Sequence, residues 1–244
     1  MSDGVATAII EVAVDPPTAF EVFTEEVAAW WRASESVRFE PGVGGRVLAL
    51  GREPEAPPIE VGRVIVWEPG PRLAFTYRGD TEVEVRFEAS EHGTRVVLEH
   101  RGFDRSLAPD LSDDWAGLLG RFADRSRERI LVGRLAEFVT AIAQNDVEFF
   151  RENMTDDAMC VFPGTDGVYD REQTAAGMAD HPPYAKYLLE DPRVIDAGPT
   201  AAVLMARGVI QRVDDPTPRS VVVSNTFVNR DGVWKLAFVQ WTPA

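Results

Sequence analysis

The chain has 244 residues with 45% hydrophobic and 27% charged side chains, enough length for two domains with a core each and a balance typical of a water-soluble protein. Its net charge of −15, from 25 Lys+Arg against 40 Asp+Glu, opposes binding to nucleic acid or an anionic membrane surface, because phosphate contacts need clustered cations. The single cysteine, Cys160, excludes an intrachain disulfide and four-thiolate metal sites, and the start MSDGVATAIIEVAV lacks the basic and apolar parts of an export signal. A cytoplasmic location is expected, with no membrane partner.

In chain order, TAIIEVAV (7–14) predicts a strand, and Asp15 or Thr18 caps a helix running to about Trp31. Phe20, Phe23, Val27, Trp30 and Trp31 recur at helical spacing and share one face. Gly42-Val43-Gly44-Gly45 leads into a strand rather than a capped helix, so it reads as a bulged turn and not a phosphate loop. Strands follow at Arg46–Leu50, Gly62–Trp67, Leu73–Arg78, Thr81–Glu88 and Thr94–Arg101. In the fourth of these, Val83, Val85 and Phe87 alternate with charged residues, which puts one face in the core and one in water.

From Asp110 to Phe162 there is no proline, and helix is permitted throughout. Leu111, Trp115, Leu118, Leu119 and Phe122 form one apolar stripe. Asp124, Arg125, Ser126, Arg127, Glu128 and Arg129 interrupt it, and Leu131, Leu135, Phe138, Val139 and Ile142 begin another. The interruption predicts a domain boundary, with domains at 1–127 and 128–244. Asn145-Asp146 then caps a short helix, Ala158–Phe162 reads as a strand, and Asp170 and Gln173 have capping-box spacing before a third helix. Pro182, Pro183 and Pro192 break up the next segment. Ala201–Val213, Ser220–Arg230 and Val233–Trp241 complete the chain as long strands, with Asp231-Gly232 as a hairpin signal.

The segments AFEVFTEEVAAWW, FEPGVGGRV, GRVIVWEPGPRLAFTYR, TEVEVRFE and DDWAGLLGRF resemble, over about residues 5–125, the START-like (Bet v 1-like, SRPBCC) superfamily, in particular bacterial homologues of the activator of heat-shock-protein ATPase. The resemblance implies a helix-grip domain, an antiparallel sheet wrapped on a long C-terminal helix around an apolar cavity. Candidate lining residues are Trp30, Trp31, Trp67, Phe75, Tyr77, Phe87, Trp115 and Phe122, with Arg63, Arg78 and His100 as groups to orient an acidic ligand. Aromatic residues at these spacings are also ordinary core.

LAEFVTAIAQNDVEFFRENMTDDAMCVFPGTDGVYDREQTAAGM and VSNTFVNRDGVWKLAFVQWTP, within about 130–243, resemble the SnoaL-like part of the nuclear-transport-factor-2-like superfamily. That implies a cone-shaped α+β barrel with a curved antiparallel sheet, and the whole chain is then of the α+β class. In the isomerases of this superfamily a general-base Asp precedes the proline after the first strand. Here that residue is Phe162, and the oxyanion-hole donors would fall near Phe138 and Ser224, which disfavours steroid-isomerase chemistry. Phe138, Phe162, Tyr169, His181, Tyr184, Asn225 and Gln240 are the candidates for a second pocket, Gln240 being in phase with Trp234, Leu236 and Phe238.

No metal or other cofactor is expected: His92, His100 and His181 lack paired ligand spacing, and Cys160 reads as a buried, inert thiol. The leading expectation is binding of a small apolar or aromatic molecule in the helix-grip cavity, with the second domain as a further pocket or a homodimerisation module through Val233, Val239 and Trp241. The alternatives are a cofactor-independent polyketide cyclase or isomerase, with catalytic residues unknown, and a stress-response or co-chaperone-like interaction protein.

Overall fold

The structure is a computed structural model that describes residues 3–31, 36–51, 57–163, 167–179, 184–198, 200–215 and 217–244. The chain divides into two compact units, Met1–Arg127 and Glu128–Ala244. Both units are α+β.

The first unit is built on strand β1 (Asp3–Val12), helices α1 (Pro16–Thr24) and α2 (Val27–Trp30), and strands β2 (Ser36–Phe39), β3 (Arg46–Leu50), β4 (Ile59–Glu68), β5 (Arg72–Tyr77), β6 (Thr81–Ser90) and β7 (Gly93–Asp104). Asp15 caps α1, its Oδ1 accepting from the Thr18 amide at 2.8 Å, and prolines fill the first turn, where no helical partner exists for their missing N–H. The single helix expected to Trp31 is two. The indole of Trp30 donates to the Val22 carbonyl at 3.0 Å, the acceptor that a continuing helix would have used, and the Thr24 hydroxyl donates back to Phe20 O.

The strands form one antiparallel sheet in the order β1-β7-β6-β5-β4-β3-β2. Val83, Val85 and Phe87 of β6 are buried as their alternation requires. On the other face, ion pairs cross the strands, among them Arg72–Glu84 at 3.2 Å and Arg86–Glu99 at 3.3 Å. Gly62 lies where β4 presses closest to its neighbour, since a Cβ there would stand 1.7 Å from the Thr76 carbonyl oxygen.

Helix α3 (Ala108–Gln144) runs straight through the charged stretch that the apolar pattern marked as an interruption. The reason is local: residues 121–132 contain neither Pro nor Gly, charged side chains are good helix formers, and only the stripe is broken, not the hydrogen-bond ladder. Within that stretch Ser126 is fully buried and its hydroxyl donates to Phe122 O at 2.9 Å.

The second unit continues with α4 (Val147–Asn153), β8 (Met154–Val161), β9 (Tyr169–Asp170), α5 (Arg171–Ala179), β10 (Tyr184–Asp196), β11 (Ala201–Arg212), β12 (Arg219–Arg230) and β13 (Val233–Pro243). Asp146 caps α4 through Phe149 N at 3.0 Å. Asp170 and Gln173 close the reciprocal capping box ahead of α5, with Gln173 N to Asp170 Oδ1 at 2.8 Å and Asp170 N to Gln173 Oε1 at 3.0 Å. The sheet order is β10-β11-β12-β13-β8-β9, antiparallel except for the β13–β8 pair. Asp231 and Gly232 both take positive φ (55° and 82°), as a two-residue hairpin turn demands.

Two features depart from expectation. Strand β10 occupies a segment that its prolines seemed to exclude; it is an edge strand, and Pro192 sits in a register shift between Glu190 and Arg193, where no ladder donor is needed. On β13, Leu236 pairs with Phe227 but Phe238 pairs with Thr226, so Ala237 is an extra residue. Such a bulge reverses which faces the following side chains occupy. Val239 is buried while Gln240 is exposed, the opposite of what simple alternation from Trp234 and Leu236 gives. Val233, exposed at 50%, therefore shares no face with Val239 and Trp241, and the interface stripe read from these three residues does not exist.

Candidate functional site

In the first unit the expected lining residues meet one another. Trp30, Trp31, Phe75, Phe87, Trp115 and Phe122 are each no more than 3% exposed. Their rings interlock: Trp30–Phe122 centroids lie 5.4 Å apart, Trp31–Trp115 5.3 Å, and Trp67 meets Phe20 at 5.1 Å. Tyr77 joins the group through Trp31 and Trp115. His100 is buried beside Tyr77 and Trp115. Arg63 is not part of this group. Its neighbour Val64 points inward, so strand alternation sends Arg63 out, where it pairs with Glu60 at 2.9 Å. A hollow of about 240 Å³ in this unit is lined by Ala49, Ile59, Val61 and Arg78 instead.

The second unit holds a larger cavity of about 480 Å³. Its walls follow from the periodicities of the elements around it. Val221, Val223, Asn225 and Phe227 are the inward residues of β12, and Leu236, Val239 and Trp241 are those of β13 once the bulge is passed. Leu135, Phe138, Val139 and Ile142 supply the helical wall from α3, and Cys160 completes the strand side. Aromatic rings succeed one another along the remaining side: Tyr184–Tyr187 at 5.2 Å, Tyr187–Trp241 at 5.5 Å, Trp241–Phe162 at 5.7 Å and Phe162–Tyr169 at 6.1 Å.

Charge gathers where β11 ends and β12 begins, at Arg212, Asp215 and Arg219, and there it is already compensated. Arg212 holds Asp214 at 3.0 Å and Arg219 holds Asp215 at 2.6 Å. Hydrogen bonds from Thr217, with the Arg219 guanidinium adding to them, lower the Asp215 pKa and keep it a weak base. Burial raises the pKa of the Tyr184 and Tyr187 hydroxyls and of the Cys160 thiol, so all three stay neutral near pH 7. The side chain of Asn225 is buried against the cavity, and its Nδ2 has no hydrogen-bond partner among the described residues. Among the described residues no group of three or more His, Cys, Asp or Glu side chains stands together as a metal site.

Of the residues expected in this pocket, Phe138, Phe162, Tyr169, Tyr184 and Asn225 do line it. Gln240 does not, because the bulge turns it outward, and His181 lies outside the described residues. Phe162 stands at the wall next to Pro163, in the place where the isomerase resemblance would put a carboxylate. The proposed oxyanion position also shifts by one: Ser224 alternates away from the cavity and Asn225 faces it. Tyr187 was missed because its strand was missed, and Trp241 because alternation alone assigned it to the outer face.

The chain thus has two α+β units, each built on a largely antiparallel sheet, and the second holds a cavity. Residues 13–125 match the family described as activator of Hsp90 ATPase homolog 1-like protein, and residues 133–241 match the SnoaL-like domain, so the chain carries one domain of each kind. Among solved structures it is similar to an NTF2-like protein from Cytophaga hutchinsonii (17% identity, 48% of this chain and 97% of that one, TM-score 0.44). It is also similar to a protein from Staphylococcus saprophyticus (26% identity, 49% and 88%, TM-score 0.40) and to the CaMKII hub of S. rosetta (20% identity, 48% and 95%, TM-score 0.43). No curated protein matches the chain. No described helix is long and apolar enough to cross a membrane.

Proposed function

We propose that this protein binds a small, mainly apolar or aromatic molecule, and that the binding site is the cavity of the second unit. The observation that carries the reading is the cavity itself: about 480 Å³, within the size range of small-molecule sites, walled by aliphatic side chains and a run of five aromatic rings. The aromatic set of the first unit is the weaker candidate, since those rings are buried against one another. A catalytic reading by proton abstraction finds little support in Asp215, the lining carboxylate among the described residues, because its surroundings favour the ionised form and make it a poor proton acceptor. Any pairing of two copies through the second unit's sheet would use the outward face, where Met159 and Met205 are exposed, rather than Trp241.

Native mass spectrometry of freshly purified protein tests the proposal. A retained small molecule is expected in the wild type and is expected to be lost in Val223→Trp, which fills the cavity from β12. Retention unchanged in a folded Val223→Trp variant would place the ligand elsewhere.

A further inference from the structure

The polar groups around the cavity are not equivalent. Arg212 and Arg219 already hold carboxylates, and Gln173 is engaged in the capping box of α5. Asn225 and Thr174 are different: both are 4% exposed and line the cavity, and Asn225 Nδ2 and Thr174 Oγ1 lack a partner among the described residues; of the two, Asn225 is the one that presents an amide N–H. A buried amide donor left unmade is costly, and native proteins satisfy nearly all of them. Its neighbours in the sheet supply no acceptor side chain. Asn225 is flanked on its own strand by Val223 and Phe227 and paired across the sheet with Leu204 and Val239. The charged mouth is six residues away along β12 (225 − 219), roughly 20 Å at the strand rise, too far to serve it.

We propose that Asn225 is a specificity residue for an uncharged ligand that carries a carbonyl oxygen at its buried end, the oxygen accepting from Asn225 Nδ2 while the hydrocarbon or ring portion lies along Tyr187 and Trp241. An acid is the disfavoured class: no uncompensated cation lines the described cavity, and a carboxylate brought to Asn225 would be buried beside Val223, Phe227 and Val239. The inference rests on the cavity being a binding site.

Calorimetric titration with three probes of one shape tests it: 2-acetylnaphthalene, its hydrocarbon isostere 2-isopropenylnaphthalene, and 2-naphthoic acid. The wild type is expected to bind the ketone about tenfold tighter than the hydrocarbon, the ratio that follows from leaving one buried donor unsatisfied. Asn225→Leu is expected to keep hydrocarbon binding and abolish the preference. Equal binding of ketone and hydrocarbon by the wild type, or a preference that survives Asn225→Leu, overturns the role of Asn225 and leaves the cavity as a binding site. Tightest binding of the acid overturns it in favour of recognition by Arg212 or Arg219. If none of the three probes binds, the cavity reading falls and the inference with it.

Discussion

The indole Nε1 of Trp115 donates to Nδ1 of His100 at 3.2 Å, and this bond settles the state of the imidazole. On the other side, His100 Nε2 lies 2.9 Å from the Thr81 hydroxyl, whose own proton goes to the Tyr77 carbonyl. Thr81 can therefore only accept, so the ring carries its proton on Nε2 and offers Nδ1 to Trp115. A second proton on Nδ1 would face a donor.

Burial lowers the His100 pKa from its ordinary value. The unfolded chain then takes up the proton first, near pH 6.5. Stability is at its full value above that pH and declines as pH falls toward the lowered folded value. Urea unfolding between pH 8 and pH 5 is expected to show this decline. His100→Gln, which keeps a donor and an acceptor without a titrating ring, is expected to flatten it, and Trp115→Phe is expected to cost about 1 kcal/mol at pH 8. A pH slope identical in wild type and His100→Gln rules out His100 as its source.

Asp170→Ala removes the side-chain half of the capping box at α5. A loss of about 1 kcal/mol is expected from the midpoint of chemical denaturation, with Asp170→Asn retaining most of the wild-type value. The second variant separates hydrogen bonding from charge, and a full loss in Asp170→Asn would mean the carboxylate acts through its charge on the helix terminus.

Gly62→Ala places a methyl group on the Thr76 carbonyl, 1.7 Å away, and backbone on both strands has to move to admit it. Loss of more than about 2 kcal/mol is expected, whereas alanine at the helical Gly117, where a Cβ meets nothing, is expected to gain about 0.5–1 kcal/mol. Equal stability of the two variants would show that β4 and β5 do not approach as closely as described.

The Cys160 thiol is fully buried, and burial raises its pKa. Ellman's reagent is expected to leave it unmodified in the native protein and to react with one thiol per chain in denaturant. Rapid native labelling would mean that the cavity wall opens at β8.

Much of the architecture was legible in the chain. The capping residues Asp15, Asp146 and Asp170 announced their helices because a helix start needs a side-chain acceptor within two or three residues, which is a local requirement. Alternation on β6 and the Asp231-Gly232 turn were readable for the same reason. Strand β10 was not, because a proline is tolerated at an edge-strand bulge, and edge position is a property of the whole sheet.

By itself, then, the sequence determined the class of each half and most inward-facing stripes, since periodicity and capping act over a few residues. Tertiary structure decided which aromatic groups border open space. The rings of the first unit are consumed by one another, whereas those from Tyr169 to Trp241 border a cavity; the one-residue bulge at Ala237 puts Trp241 inside and Gln240 outside. Which face a side chain occupies beyond a bulge depends on the pairing of strands distant in sequence, and no local pattern contains that pairing.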